Sequence, residues 1–242
     1  MKLVFLLSIL CVQSVFGFDH KHEKWDQILQ NHTKKVDGQV LFNYKKLKGN
    51  DSNLKSYLKE LEAVNKGTFK EFNSDQKLAF WINAYNAYTV KWILKHYPVE
   101  SIKDTGSLFS NPWKKEFIEL MGKKMSLDGI EHGTIRKNFK EARIHFAVNC
   151  ASIGCPSLYQ NAFIAEKLDA QLEESTKFFL SNKKKNYLKG QTYHLSKIFD
   201  WYGEDFEKYH GSVEKFVGKY LGEGDDIEFL DYDWSLNEFK SK

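Results

Sequence analysis

The sequence predicts an α+β fold, a mostly helical single domain with a small, mainly antiparallel sheet around a central apolar helix. Three observations carry this expectation. Apolar residues recur at spacings of three and four more often than they alternate. The stretch between Asn73 and Pro98 is apolar on almost every face, as a helix at the centre of a fold must be. The strand-like stretches do not alternate regularly with helical ones, which argues against a doubly wound parallel sheet.

Apolar residues are sparse from Lys24 to Lys35, so the first firm element is a helix through Leu54, Tyr57, Leu58 and Leu61, with Gly67 ending that unit. Asn73 and Ser74 are cap residues for the central helix. Tyr97-Pro98 closes it, because proline disfavours helical geometry in the residue before it. Leu78, Trp81, Ile82, Tyr85, Tyr88 and Trp92 repeat along it, and Ala79, Phe80, Ala84, Ala87, Val90 and Ile93 fill its other faces. Asn83 and Asn86 are therefore polar groups destined for burial, where amides need partners, either backbone groups or a substrate.

Gly106 to Lys115 reads as a loop with a turn at Asn111-Pro112. The runs Phe117–Met121 and Lys124–Leu127 around Gly122-Lys123 suit a β-hairpin. Ser126 and Asp128 can cap a helix carrying Ile130, Glu131, His132, Ile135 and Arg136. Arg143 to Cys150 alternates Ile144, Phe146 and Val148 with His145, Ala147 and Asn149, which predicts a strand running into a structured loop from Ala151 to Gln160. A helix follows over Ala165–Leu180, then a short hairpin around Lys189-Gly190, the stretch Ile198–Tyr202, a helix near Val213–Leu221 and the tail Ile227–Asn237. The basic run Lys183-Lys184-Lys185 falls in a loop and reads as solvated.

One basic residue, Lys2, precedes an apolar stretch from Leu3 to Val12 that is too short to span a bilayer, which is the layout of a signal peptide. Val15 and Gly17 place the cut before Phe18, so residues 1–17 are the expected leader and 18–242 the expected domain of an exported, secreted or periplasmic protein. No later stretch reaches the about eighteen apolar residues a membrane span needs. With 36 basic against 32 acidic residues the net charge is only +4, too mild to imply a nucleic-acid partner. Aromatic residues make up 15% of the chain, enough for a ring-built core or for a groove that holds a small molecule, a peptide or an envelope polymer.

Cys150 and Cys155 are the two cysteines outside the leader, five apart at the expected strand end and in the loop beyond it. That spacing in an exported chain admits a disulfide that braces a binding loop. It equally admits a thiolate nucleophile, because a strand-end loop presents reactive groups. On an extended strand His145 sits about 16 Å from Cys150 and faces the other way, so it is a poor base. His132 is better placed, since a helix followed by a returning strand brings the helix start to the strand end. Glu131 cannot orient its neighbour directly, which leaves that role to Asn83, Asn86, Asp200 or Asp205. Arg136 shares a helical face with His132 and either holds a substrate carboxylate or pairs with Glu131 or Asp128. The catalytic candidates are thus Cys150, His132, Glu131, Asn83 and Asn86, and the binding candidates Arg136, His145, Trp81 and Cys155. A metal site is disfavoured because no Cys-x-x-Cys or His-Glu-x-x-His spacing occurs, and with no phosphate-binding glycine loop, no cofactor is expected.

Ala79–Ala87 in the central helix, Leu127–His132, His145–Cys150 with Cys155–Leu158, Phe199–Tyr202 and Tyr232–Asn237 together resemble the domain of unknown function 547. The family's motifs fall on Asn83, Asn86, Glu131, His132, His145, Cys150 and Cys155, so the resemblance implies that these residues form one site. It brings no activity with it. The residues admit two readings, a Cys/His-dependent hydrolase or acyl transferase, with amides of the 151 to 155 loop as oxyanion donors, and a non-catalytic peptide- or polymer-binding module.

Overall fold

The computed structural model describes residues 17–106 and 111–240. The expected leader, except Gly17, and Cys11 with it lie outside the described residues. In chain order the elements begin with α1 (Glu23–His32), the hairpin β1 (Thr33–Val36) and β2 (Gln39–Phe42), α2 (Tyr44–Gly49), α3 (Ser52–Ala63), α4 (Lys66–Glu71) and α5 (Ser74–His96). A second hairpin, β3 (Ile118–Leu120) and β4 (Lys123–Met125), leads to α6 (Leu127–Ile130), a π-turn over Glu131–Ile135 and α7 (Arg136–Asn138). Then come α8 (Leu168–Leu180), β5 (Tyr187–Lys189), β6 (Thr192–Leu195), α9 (Ile198–Trp201), α10 (Gly203–His210), α11 (Val213–Leu221) and β7 (Asp226–Phe229).

The α+β class holds, with helices dominant, but among the described residues the strands form three small sheets instead of one. Two are hairpins, and in the third β6 pairs antiparallel with β5 and parallel with β7. Among the described residues no helix is long and apolar enough to cross a membrane.

Helix α5 is the axis of the fold because its sequence offers no polar face: sixteen of its residues, from Leu78 to Leu94, are buried. Asn73 and Gln76 cap each other's backbone reciprocally at its start, which satisfies donors that a helix end otherwise leaves open. Two hydrophobic clusters surround this frame. The larger gathers around α5 and takes in Trp25, Phe42, Tyr57 and Leu127, and the smaller lies among α8, β6 and α9 to α11.

Three local expectations are corrected. The stretch after Lys24 is helical, because Trp25, Ile28 and Leu29 are few but fall at helical spacing and bury together, Trp25 stacking on Tyr57 at 5.9 Å. Gly67 does not end a helix; α3 stops at Ala63 and Gly67 lies inside α4. The expected strand at Arg143–Cys150 is a 3₁₀ turn over Ala142–Phe146. Its apolar alternation carries no face information, since every residue from Ile144 to Asn149 is buried: Phe146 enters the smaller cluster while Ile144, Ala147 and Val148 enter the larger. The turn is fixed by Glu141, which accepts from the Arg143 amide at 3.0 Å and clamps its guanidinium.

Candidate functional site

Cys150 follows that turn and opens a loop that α5 and the C-terminal tail hold from opposite sides. Asn86 donates to the Ala147 carbonyl at 2.9 Å and accepts from the Asn149 amide at 2.8 Å. Asn149 in turn donates to the Pro156 carbonyl at 2.7 Å and accepts from the Ala151 amide at 2.9 Å and from Asn237 at 3.2 Å. Three buried asparagines therefore lace helix, loop and tail together, with every amide contact to a fixed partner. On the tail side the Ile153 and Gly154 amides each reach 2.7 Å to the carbonyls of Ser235 and Asp233. Ala151 takes φ 62°, in the left-handed region that a β-carbon resists, so the loop holds a conformation its sequence does not favour locally.

This lacing presents Cys150 Sγ in a cavity of about 300 Å³ at the seam of the two clusters. Ser152 Oγ stands 3.1 Å from the sulfur and Tyr232 Oη 3.2 Å, and the two hydroxyls are 3.1 Å apart. Burial alone would push the Cys150 thiol up. Hydrogen bonds from the Cys155 thiol, from the Ser152 and Tyr232 hydroxyls and from the Ser152 amide more than offset it and bring the thiol down to about 7. Cys155 goes the other way, raised by its burial and by the neighbouring Cys150.

The cysteines are not bridged. The Cys150 amide donates to Cys155 Sγ at 2.9 Å, so Cys155 serves as an acceptor beside the loop backbone, and the disulfide-braced form of the binding module loses its brace. The expected oxyanion donors are also corrected. The amides of Ala151, Ile153, Gly154 and Cys155 are each bonded to backbone or to Asn149, and the Ser152 amide turns to the Cys150 sulfur. Donors to a substrate oxygen must therefore come from side chains.

The cavity walls also bring in His132, Glu131 and His145. The π-turn delivers the first two, an extra residue in the helical turn letting Glu131 point inward. Tyr202 donates to Glu131, and burial beside that carboxylate drives the phenol well above its usual range. His132 Nδ1 accepts from Arg136 at 2.9 Å, which leaves its proton on Nε2, 3.5 Å from Asp128. His132 thus offers the cavity an N–H and not a free lone pair, against the expectation of a base.

Arg136 pairs with neither Glu131 nor Asp128: it grips Asp205 through Nε at 2.6 Å and Nη2 at 3.1 Å. The same carboxylate meets His145 Nε2 at 2.7 Å. Burial would raise the Asp205 carboxyl, but bonds from His145 and Arg136 hold it well below the ordinary carboxylate range. Burial lowers His145, whose ring stacks on Tyr202 at 3.9 Å and whose Nδ1 has no partner among the described residues. With Nε2 donating to Asp205, the open nitrogen is an acceptor. His145 lies on the 3₁₀ turn and not on an extended strand, so the strand spacing of about 16 Å from Cys150 does not apply to it.

Three candidates leave the site. Asn83 is spent on the backbone of Phe163, donating at 2.7 Å and accepting at 3.0 Å, and Asn86 is spent as described. Trp81 is buried against Phe69 and Phe80, away from the cavity wall. Three residues enter it unforeseen. Tyr232 and Ser152 touch the sulfur, and Lys185, hidden in a basic run that reads as solvated, is buried with Nζ 2.6 Å from the Cys155 carbonyl. Trp113, Trp201 and Trp234 add an aromatic rim, in which Trp201 stacks on Trp234 at 5.7 Å and is 43% exposed. Among the described residues no group of three His, Cys, Asp or Glu side chains is placed to hold a metal ion.

Residues 69–180 match the sequence model of a family described as a protein of unknown function, DUF547. The match spans α5, the π-turn, the 3₁₀ turn and the cysteine loop, and leaves Phe199–Tyr202 and Tyr232–Asn237 outside it. No curated protein and no solved structure is significantly similar to the chain.

Proposed function

We propose, from the site alone, a thiol-dependent acyl transferase or hydrolase with Cys150 as nucleophile, since the DUF547 model that residues 69–180 match carries no stated activity. The observation that carries the reading is the Cys150 sulfur itself, facing an aromatic cavity with two hydroxyls, an amide and a second thiol bonded to it. A thiol at about 7 is half ionised at neutral pH, so no base needs to touch it.

In the reaction the thiolate forms a C–S bond to a substrate carbonyl carbon, and the π electrons move to oxygen. The Tyr232 hydroxyl and the His132 N–H are the donors available to that oxygen. Collapse expels the leaving group, which takes a proton, and water or an acceptor amine or hydroxyl then opens the thioester. His145, held by Asp205 and with its buried Nδ1 unpartnered among the described residues, is the base this reading assigns to the second step.

The test is the rate of iodoacetamide labelling against pH, mapped to peptides, together with acyl capture from an activated aryl ester. An ordinary thiol at pH 6 is ionised roughly thirtyfold less than one at 7, and lower intrinsic nucleophilicity takes back about fivefold, so a net advantage of about sixfold is expected for Cys150. Labelling that titrates at or above 8.5, or that needs prior reduction, would remove the nucleophile. The exposed Trp201 rim favours a second reading, a cleft that binds a peptide or envelope polymer without chemistry. That reading requires the C150S variant to bind its ligand unchanged and the wild type to capture no acyl group.

A further inference from the structure

Cys155 is not needed for acyl transfer, yet its sulfur sits 2.9 Å from the Cys150 amide nitrogen, from which it accepts. Both residues line the same cavity, so a reagent that reaches one meets the other. Both are free thiols, and they share a short loop pinned at each end, by Asn149 on one side and the Lys185 ammonium on the other. A nucleophilic sulfur, a second thiol in contact and hydroxyl donors around them are the components of a two-cysteine redox centre.

We propose that the Cys150–Cys155 pair reduces organic hydroperoxides, Cys150 taking the terminal oxygen and Cys155 resolving the product as a disulfide. The proposal rests on the reading of Cys150 as a thiolate nucleophile. In the first step the Cys150 sulfur attacks the terminal peroxide oxygen, an S–O bond forms and the O–O bond breaks. The departing alkoxide takes a proton and leaves as an alcohol, and Cys150 becomes a sulfenic acid. The Tyr232 and Ser152 hydroxyls, each within hydrogen-bond reach of the sulfur, are the donors nearest to that departing oxygen. In the second step the Cys155 sulfur attacks the sulfenic sulfur. The S–S bond forms, and the hydroxyl leaves as water with the Cys155 proton. The peroxide has then been reduced by two electrons and the two thiols oxidised by two, and an external dithiol returns the pair to its starting state by exchange.

The cavity points to the substrate class. Its walls are mostly rings, with Trp113, Trp201 and Trp234 at the rim, Tyr85 and Tyr202 in the wall and Tyr232 on the sulfur, and among the described residues no lysine or arginine lines it. Such a surface gains by burying an aryl or alkyl group and gains nothing from a bare peroxide.

The experiment treats the full reduced chain with cumene hydroperoxide or hydrogen peroxide, quenches with iodoacetamide or dimedone, and reads peptides by mass, which separates positions 150 and 155 from Cys11. The expected result is a Cys150–Cys155 disulfide in the wild type, reversed by a dithiol and formed several times faster with cumene hydroperoxide. In C155S a dimedone adduct at position 150 is expected in its place. If the wild type yields that adduct as readily as C155S, Cys155 does not resolve and the proposal falls. If hydrogen peroxide is the faster oxidant, the organic substrate class falls. A Cys150 that alkylates with iodoacetamide yet survives both peroxides overturns the redox chemistry and leaves the nucleophile standing, whereas one that resists all reagents overturns both. The wild-type disulfide map alone decides if C155S does not fold.

Discussion

The ammonium of Lys185 donates to the carbonyl oxygen of Cys155 at 2.6 Å, which puts a buried positive charge behind the two thiols. Burial lowers Lys185 to about 8, opposed in part by the charges of Cys155, Cys150 and Asp233. Below that pH a lysine cation and a thiolate coexist, each favouring the charged form of the other. K185Q keeps a donor for the carbonyl and loses the charge. The Cys150 thiol is expected to rise by roughly one unit, which cuts its ionised fraction at pH 6 about ninefold, returns about threefold in nucleophilicity and so slows iodoacetamide labelling about threefold. An unchanged profile would assign the thiolate to the hydroxyls alone. The unfolded chain binds more protons than the native one between the two lysine values, so native stability rises from pH 8 towards 10.5, a rise that urea titrations of K185Q should lack.

Asp205 is the node between His145 and Arg136, and through Arg136 it fixes the His132 tautomer. Its folded carboxyl lies below the ordinary value, so it contributes stability above about pH 4 that is lost as pH falls further. D205N leaves a partly buried guanidinium unpaired and is expected to cost about 3 kcal/mol at neutral pH by urea unfolding. It should also flatten the acid limb of stability below pH 4. A variant that keeps the wild-type acid limb would show that other carboxylates govern it.

The frame of the molecule was legible where local signals agreed with tertiary demands. Asn73 and Pro98 bound α5, and Val213–Leu221 is a helix because its apolar residues share one face. The 3₁₀ turn was not legible. Ile144 and Phe146 alternate, but they serve two different cores, and alternation marks a strand only when one side is wet. Lys185 stands in a run of three lysines and is the one buried among them, which no composition reveals. Tyr232 lies 82 residues from Cys150, so only the pairing of tail with loop brings its hydroxyl to the sulfur. Glu131, His132, His145, Cys150 and Cys155 share one cavity, whereas the place of Asn83 and Asn86 in the scaffolding needed the contacts.

That division is itself testable. N83A and N86A each strip two buried backbone groups of their partners, and each is expected to cost about 2–4 kcal/mol. Their effects on Cys150 should differ. Asn86 holds the amide of Asn149, the residue next to the thiol, so N86A should move the pH midpoint of labelling upward. Asn83 holds Phe163, beyond the loop, and N83A should leave the midpoint where it is. Equal shifts in both variants would mean that general loosening, and not the local anchor, sets the thiol.

The tail can be separated from the loop by one methyl group. A β-carbon on Gly154 would stand 2.9 Å from the Asp233 carbonyl and 2.9 Å from the Tyr232 ring, closer than such atoms approach, and the carbonyl is backbone that cannot turn aside. G154A must therefore push the tail away and carry the Tyr232 hydroxyl off the sulfur, at an expected cost of about 1–3 kcal/mol. Y232F keeps the ring against Trp201 and Trp234 and removes only the O–H, so its stability should stay within about 1 kcal/mol of wild type. Both variants lose the same bond to Cys150, and both should raise the thiol by a similar amount in the alkylation profile. If Y232F raises it and G154A does not, the loop yields while the tail stays in place, and the hydroxyl is held by its own aromatic neighbours. If neither raises it, Ser152 and Cys155 are sufficient to hold the thiolate, and Tyr232 is left as a wall of the cavity.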